Sequence, residues 1–251
     1  MSEIIAVCNQ KGGVGKSTTA VTMAAGLTLK GFNVLLIDLD AQCNTTYSSR
    51  ASKEGGTSLG LLLNEGKIQN AIQRTSVCDV VAGSKALAGA DAYLTETGRE
   101  YRLRDALEPV ADLYDYIVID TPPALGVITT NALTAATKVI IPAQADIYSI
   151  QGIADLSDTI RTVRKYCNRE LKVEGILLTR YSSRPGYNQE IMELACEIAR
   201  NIGTKVFKAT IREAISVKKA QAAQQTLYES DPKGKVTQDY ESFLQELIGK
   251  E

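Results

Sequence analysis

Histidine is absent from this 251-residue chain. Its absence excludes Ser-His-Asp and Cys-His catalysis and the usual His-ligated zinc sites, so any general base has to be a carboxylate or the backbone. Cysteine is sparse: five residues, at positions 8, 43, 78, 167 and 196, with no C-x-x-C pair. An odd, dispersed set points to reduced cytosolic thiols. No apolar run approaches the ~20 residues needed to span a bilayer. Residues 1–10 lack the basic stretch followed by a long apolar stretch that marks a signal peptide. Excess charge of one sign is missing too. The formal net charge is −1, so a binding site for nucleic acid has to be a local patch.

What is present is ordinary for a globular protein, with 44% hydrophobic and 23% charged residues. A chain of this length can bury one full core. Strand-like apolar runs recur at 4–7, 34–38, 77–81, 116–119, 139–141, 173–178 and 204–207. Helix-like segments fall between most of them, at 17–30, 99–110, 126–136, 149–167 and 187–201. This alternation predicts an α/β fold, a mostly parallel twisted sheet with helices on both faces. Ligands of such folds bind at the carboxyl ends of the strands, where Gly13, Gly15, Asp40 and Asp120 all fall. Residues 45–72 and 82–98 lack a clear period and read as mobile surface around that edge. No internal repeat is apparent, and one domain over 1–251 is expected.

The most specific stretch is Asn9-Gln10-Lys11-Gly12-Gly13-Val14-Gly15-Lys16-Ser17-Thr18-Thr19. It almost fits the phosphate-binding loop G-x-x-x-x-G-K-[ST], except that the opening glycine is Gln10 and a second lysine, Lys11, has been added. Ile4-Ile5-Ala6-Val7 reads as a buried strand before it, and the chain reads helical from Ser17 onward, with Ala20, Val21, Ala24 and Leu27 on one face. The glycines bring backbone N–H groups close to an anion at a helix N-terminus, where the dipole favours negative charge. Lys16 is placed to reach the β/γ-phosphates and the Ser17 hydroxyl to ligate Mg²⁺.

Lys11-Gly12-Gly13-Val14-Gly15-Lys16-Ser17 resembles the deviant Walker A motif of the ParA/MinD class of P-loop ATPases. Val34-Leu35-Leu36-Ile37-Asp38-Leu39-Asp40-Ala41-Gln42-Cys43-Asn44 resembles its second acidic motif, and Tyr116-Ile117-Val118-Ile119-Asp120-Thr121-Pro122-Pro123 its Walker B. The likeness runs from the first strand to the C-terminal helix and is greatest to the ParA/Soj DNA-partitioning branch. That branch usually has Pro and Gly where this chain has Ala41 and Cys43, so the loop after Asp40 is open to a different course. With the phosphate-binding loop starting by residue 11, the N-terminal helix-turn-helix domain of some plasmid partition ATPases is not expected here.

The resemblance implies ATP hydrolysis, slow without a partner, with ATP/ADP and Mg²⁺ as cofactors. Residues Lys11, Gly12, Gly13, Val14, Gly15, Lys16, Ser17 and Thr18 would form the nucleotide site. Asp120 would hold Mg²⁺ through water, beside Ser17. Asp38 and Asp40 stand two apart, a spacing that puts both carboxylates on one strand face, within reach of the metal and the γ-phosphate. The family pattern gives Asp40 the water-orienting or base role, with Asp38 in support. It gives Lys11 a role in trans, reaching across a nucleotide-sandwich homodimer to the partner's phosphates like an arginine finger. Lys11, Asp40 and Lys16 are thus the expected catalytic set. Thr179, Arg180 and the 208–212 region are candidates for contact with the base.

Two basic clusters, 161–172 and 205–219, each carry a net charge of +4. In the ParA/Soj branch non-specific DNA binding uses basic residues at positions that match Arg184, Arg212, Lys218 and Lys219. Residues 236–251 repeat Val236, Tyr240, Phe243, Leu244, Leu247 and Ile248 at helical spacing with a net charge of −3. Anionic lipid would repel that segment, so it is expected to pack on the domain and not to anchor a membrane. The expected partners are a second copy of the chain, double-stranded DNA and a ParB-like centromere-binding protein, in a cytoplasmic, nucleoid-associated setting. A MinD-like positioning ATPase and a slow nucleotide-gated adaptor remain open alternatives.

Overall fold

Six short apolar runs and a polar edge segment pair into one sheet in the computed structural model, which describes residues 2–52, 54–146, 149, 152–181 and 187–249, the last range with backbone only at 187 and 188. The chain opens with β1 (Glu3–Val7), α1 (Lys16–Leu29), β2 (Val34–Asp38) and three short helices, α2 (Asn44–Ser48), α3 (Ser58–Leu62) and α4 (Ile68–Ala71). It continues through β3 (Ile72–Arg74), β4 (Asp79–Val81), α5 (Ala90–Tyr93), α6 (Arg102–Leu107), β5 (Tyr116–Asp120), α7 (Val127–Ala135) and β6 (Lys138–Gln144). It ends with α8 (Ile153–Tyr166), β7 (Lys172–Thr179), α9 (Tyr187–Ile202), α10 (Ile215–Ala222), α11 (Leu227–Ser230) and α12 (Lys235–Leu247).

The strand order is β3-β4-β2-β5-β1-β6-β7, parallel throughout except that β3 runs antiparallel to β4 at one edge. Side chains alternate between two cores, as strand geometry requires. Ile5 and Val7 of β1, with Leu36 and Val118, pack under α1 and α12. Ala6, with Leu35, Ile37, Ile117 and Ile119, packs under α7 and α8. Both faces of the sheet are therefore covered, as a parallel sheet demands.

Register brings the site together. Val7 pairs with Asp120, and Asp120 with Asp38, so the carboxyl ends of β1, β5 and β2 finish level.

Three expectations change. The 204–207 run makes one isolated bridge, Ile176 to Val206, instead of a strand. It nonetheless runs beside β7: Ile176 N donates to Lys205 O, Phe207 N to Ile176 O and Ile211 N to Leu178 O. Residues 45–72 are not irregular surface, because Leu59, Leu61, Leu62 and Ile68 are buried in the core that lies under α7 and α8, around three short helices. The 99–110 segment is helical over α6, after one 3₁₀ turn at Arg99–Tyr101.

Candidate functional site

The loop between β1 and α1 owes its path to two glycines. Gly13 (φ 77°) and Gly15 (φ 90°) lie in the left-handed region, which costs other residues about 1–2 kcal/mol. Gly15 is also the N-cap of α1, where no side chain caps the helix and no acid lies in the first turn. The positive end of α1 is thus left facing the cavity. The loop is tied down on both sides. Asn9 Nδ2 donates to Pro142 O at 2.7 Å, Lys11 N to Asn9 Oδ1 at 2.9 Å, and Thr179 Oγ1 to Val14 O at 2.8 Å.

A cavity of about 270 Å³ opens over this loop. Residues 12–18 and Asp40 line it. Thr179, which also bonds the loop at Val14, lines it with Arg180, Ile211, Ala214 and Val217, and Tyr240 of α12 is also in the wall. Lys16 is 6% exposed, and its ammonium donates to Lys11 O at 3.2 Å. Burial lowers its pKa, and the Asp120 and Asp40 carboxylates work against that shift.

Lys11 behaves differently. It does not line the cavity; its ammonium donates to both oxygens of Asp146, at 2.9 and 3.1 Å.

The three carboxylates split in the same way. Asp40 reaches the cavity, with one oxygen accepting from Gln42 N at 2.9 Å. Asp38 does not line it, although its i, i+2 spacing from Asp40 places the two on one face of a strand. The strand ends at Asp38, and the chain turns so that Asp40 N donates back to Asp38 Oδ1 at 3.0 Å. Thr46 fills the other oxygen through its backbone N–H and its hydroxyl, at 2.8 and 2.6 Å. Asp38 is fully buried and its pKa is raised by burial, against the Thr46 hydrogen bonds. A Cβ on Gly83 would touch its carboxyl carbon. Asp38 shapes the turn that presents Asp40.

Asp120 is also fully buried. Its Oδ2 accepts from Thr45 Oγ1 at 2.7 Å, while Oδ1 has no hydrogen-bond partner among the described residues. Burial and the neighbouring Asp38 charge push its pKa up to about 7, against Thr45 and the nearby Ser17 hydroxyl. An orphaned buried carboxylate oxygen is costly. A hydroxyl and one carboxylate suit a small, mostly hydrated divalent cation such as Mg²⁺ better than an all-protein cage.

Sequence reasoning missed Thr45 and Thr46. Both come from α2, entered through Cys43 in a left-handed conformation (φ 56°). The position where the ParA/Soj branch usually has glycine keeps a backbone suited to glycine, so the loop turns there despite the cysteine.

Of the DNA candidates, Arg184 lies outside the described residues. Arg212 is 46% exposed by side chain and is held in a two-point ion pair with Asp239. Lys218 sits at the cavity rim, and Lys218 and Lys219 are both exposed. In the other basic cluster Arg161 pairs with Asp158, and Arg164 donates to Leu171 O.

The C-terminal segment packs on the domain as expected. Val236, Tyr240, Phe243, Leu244 and Leu247 are buried in the core shared with α1. Its acids are used internally: Asp239 on Arg212, Glu241 on Lys30 at 2.6 Å, and Glu246 on Lys208 N and Ala209 N. Among the described residues no helix is long and apolar enough to cross a membrane.

Similarity to known proteins follows the same lines. A family described as an AAA domain matches residues 2–173. The sporulation initiation inhibitor protein Soj of Bacillus subtilis is 37% identical, over 98% of this chain and 98% of its own length. The chromosome partitioning protein ParA of Myxococcus xanthus is 36% identical, over 100% of this chain and 89% of its own. The crystal structure of cobyrinic acid a,c-diamide synthase from Mycobacterium smegmatis with bound ATP analog and magnesium is also similar. It has a TM-score of 0.87 and 32% identity, over 99% of this chain and 94% of that one.

Proposed function

The chain belongs to the ParA/Soj family of P-loop ATPases and takes ATP or ADP with Mg²⁺, and from that premise we propose that it is a DNA-partitioning ATPase whose ATP-bound homodimer coats double-stranded DNA. A ParB-like partner triggers hydrolysis and release. The observation that carries this reading is the separation of the two lysines. Lys16 lies in the cavity, whereas Lys11 points away from it toward Asp146. A loop lysine that leaves its own nucleotide site alone is available to a neighbour's.

In this mechanism the loop N–H groups, the α1 N-terminus and Lys16 bind the phosphates and neutralise their charge. Ser17 and Asp120 hold the cation, and Asp38 with Thr46 fixes the turn that carries Asp40. Mg²⁺ held by Ser17 and Asp120 would supply positive charge against the charge that develops on the phosphates. Asp40 orients the attacking water, a task left to a carboxylate in a chain without histidine. Lys11 of each copy leaves Asp146 and stabilises the developing charge in the other copy's site.

DNA binding rests on Arg184, Arg212, Lys218 and Lys219. Asp239 offsets the charge of Arg212, so the other three carry the net attraction. The partition reading is favoured over a MinD-like membrane one by α12. Its apolar face is already in the core, and its acids are spent on Lys30, Arg212 and the 208–209 backbone.

Steady-state ATPase measurement tests the proposal. Turnover is slow alone and rises several-fold when DNA and the ParB-like partner are added together. A rate indifferent to both would leave a nucleotide-gated adaptor instead.

A further inference from the structure

The nucleotide cavity is lined by residues 12–18 of the loop and also by Arg180, Ile211, Ala214 and Val217, which come from later in the chain. A nucleotide with its phosphates on the loop leaves these later residues, with their apolar side chains, to take its base. The 204–214 segment is not a regular strand. It is joined to β7 by an isolated bridge at Val206 and by Ile211 N, which donates to Leu178 O, and to Tyr181 just beyond β7 by a second bridge at Arg212. Side chains of another element can add to that hold.

The C-terminal helix does so. One carboxylate, Asp239, accepts three hydrogen bonds from one residue of the segment: Arg212 Nε at 2.6 Å, Arg212 NH2 at 2.6 Å and the Arg212 backbone N at 3.0 Å. Exposed ion pairs contribute little as a rule. This one is bidentate, includes a backbone donor and leaves the Asp239 side chain 11% exposed, which is the geometry in which such pairs hold a conformation. The next residue, Tyr240, lies in the cavity wall, and its hydroxyl is hydrogen-bonded at 3.2 Å to Thr19 on α1. Two adjacent residues of α12 thus grip the 204–214 segment and the helix that follows the loop.

We propose that Asp239 is a positioning residue for the nucleotide base: by clamping Arg212 it holds Ile211, Ala214 and Val217 where the base packs, so affinity for ATP and ADP depends on a carboxylate that contacts neither. The inference rests on the nucleotide site and not on DNA binding.

The test compares Asp239→Asn with the unaltered full-length chain by calorimetric titration of Mg-ADP and of inorganic tripolyphosphate. Tripolyphosphate occupies only the loop. ADP affinity falls about tenfold, the equivalent of about 1.4 kcal/mol, while tripolyphosphate affinity is unchanged. Glu246→Gln serves as the folding control, because it takes the charge from the acceptor of two backbone bonds in the same segment away from the cavity, at Lys208 and Ala209. It leaves ADP affinity within about twofold by this account, for the reason that neither residue lines the site. ADP affinity unaltered in Asp239→Asn, ADP and tripolyphosphate weakened in parallel, or an equal ADP loss in Glu246→Gln would each overturn the proposal. Failure of the unaltered chain to bind ADP at all would remove the nucleotide site and the proposal with it.

Discussion

The Lys11 ammonium sits between the two carboxylate oxygens of Asp146, at 2.9 and 3.1 Å. Asp146 follows β6 and is fixed in turn by Ser149 N, which donates to its Oδ1 at 2.9 Å. The Lys11 side chain remains 35% exposed, so the pair is one that solvent screens and a stronger anion can break. A partner's triphosphate is such an anion.

Lys11→Ala is therefore expected to separate binding from turnover. Nucleotide affinity stays close to normal, since Lys16 and the loop amides remain, but productive dimers and hydrolysis are lost. Light scattering with a slowly hydrolysed ATP analogue, beside an ATPase assay, checks both halves. A normal dimer with normal turnover would return Lys11 to the role of a surface lysine.

Asp40→Ala acts at a later step. The variant is expected to bind ATP and to dimerise, with turnover lower by about 100-fold or more, the usual scale for loss of a positioned base. Asp38→Ala is expected to fail differently, by destabilising the fold, because it strips the buried Thr46 and Asp40 groups of their acceptor. Unchanged turnover in Asp40→Ala, measured with partner present, would move the catalytic role elsewhere.

These differences mark how far the sequence could be read. The apolar runs before Gly13, Asp40 and Asp120 are short and bounded by turn residues, so the parallel sheet and the glycine turn between β1 and α1 are legible. The tertiary partners are not. Thr45 meets Asp120 across 75 residues, Lys11 meets Asp146 across 135, and Thr19 meets Tyr240 across 221. Nothing local in the chain records such pairings. Tyr240 reads only as one residue of an apolar helical stripe, which it is, yet it also walls the cavity. The Asp38–Asp40 spacing misleads because period-two reasoning holds only within a strand, and β2 stops at Asp38.

The five thiols are expected to react in order of exposure. Cys196 is exposed and Cys167 half-buried, whereas Cys8, Cys43 and Cys78 are buried. Burial pushes Cys8 up to about 11 and Cys78 up to about 12, which suppresses their reactive thiolates near neutral pH. Labelling with a coloured disulfide reagent should modify Cys196 quickly and spare Cys8 and Cys78 until the chain unfolds. Rapid modification of Cys8 in the folded protein would contradict the packing of β1.

Gly26 in α1 offers a stability test in which two effects oppose. Alanine in place of a mid-helix glycine normally stabilises by about 0.5–1 kcal/mol. Here a Cβ would meet Leu244 Cδ1 and the Tyr228 hydroxyl, and overpacking of this kind costs about 1–3 kcal/mol. The clash outweighs the gain in helix propensity, so Gly26→Ala is expected to lower stability by about 1 kcal/mol in urea unfolding. A stabilised variant would mean that α1 and α12 pack less closely than described.

The claim that this ATPase acts on DNA is tested most directly by fluorescence anisotropy on two duplexes of unrelated sequence, with ATP or ADP, across a salt series. A chain of net charge −1 binds DNA only through clustered cations, and a dimer presents two such clusters to one duplex. Binding is expected only with ATP, equal for both duplexes, and to weaken steeply with salt, by about −0.9 in log–log slope per neutralised phosphate. Charge reversal at Lys218 and Lys219, or at Arg184, should lower affinity for both duplexes alike and flatten that slope, with ATP-driven dimerisation retained. An ATP-bound dimer with no affinity for either duplex at low salt would contradict the partitioning function.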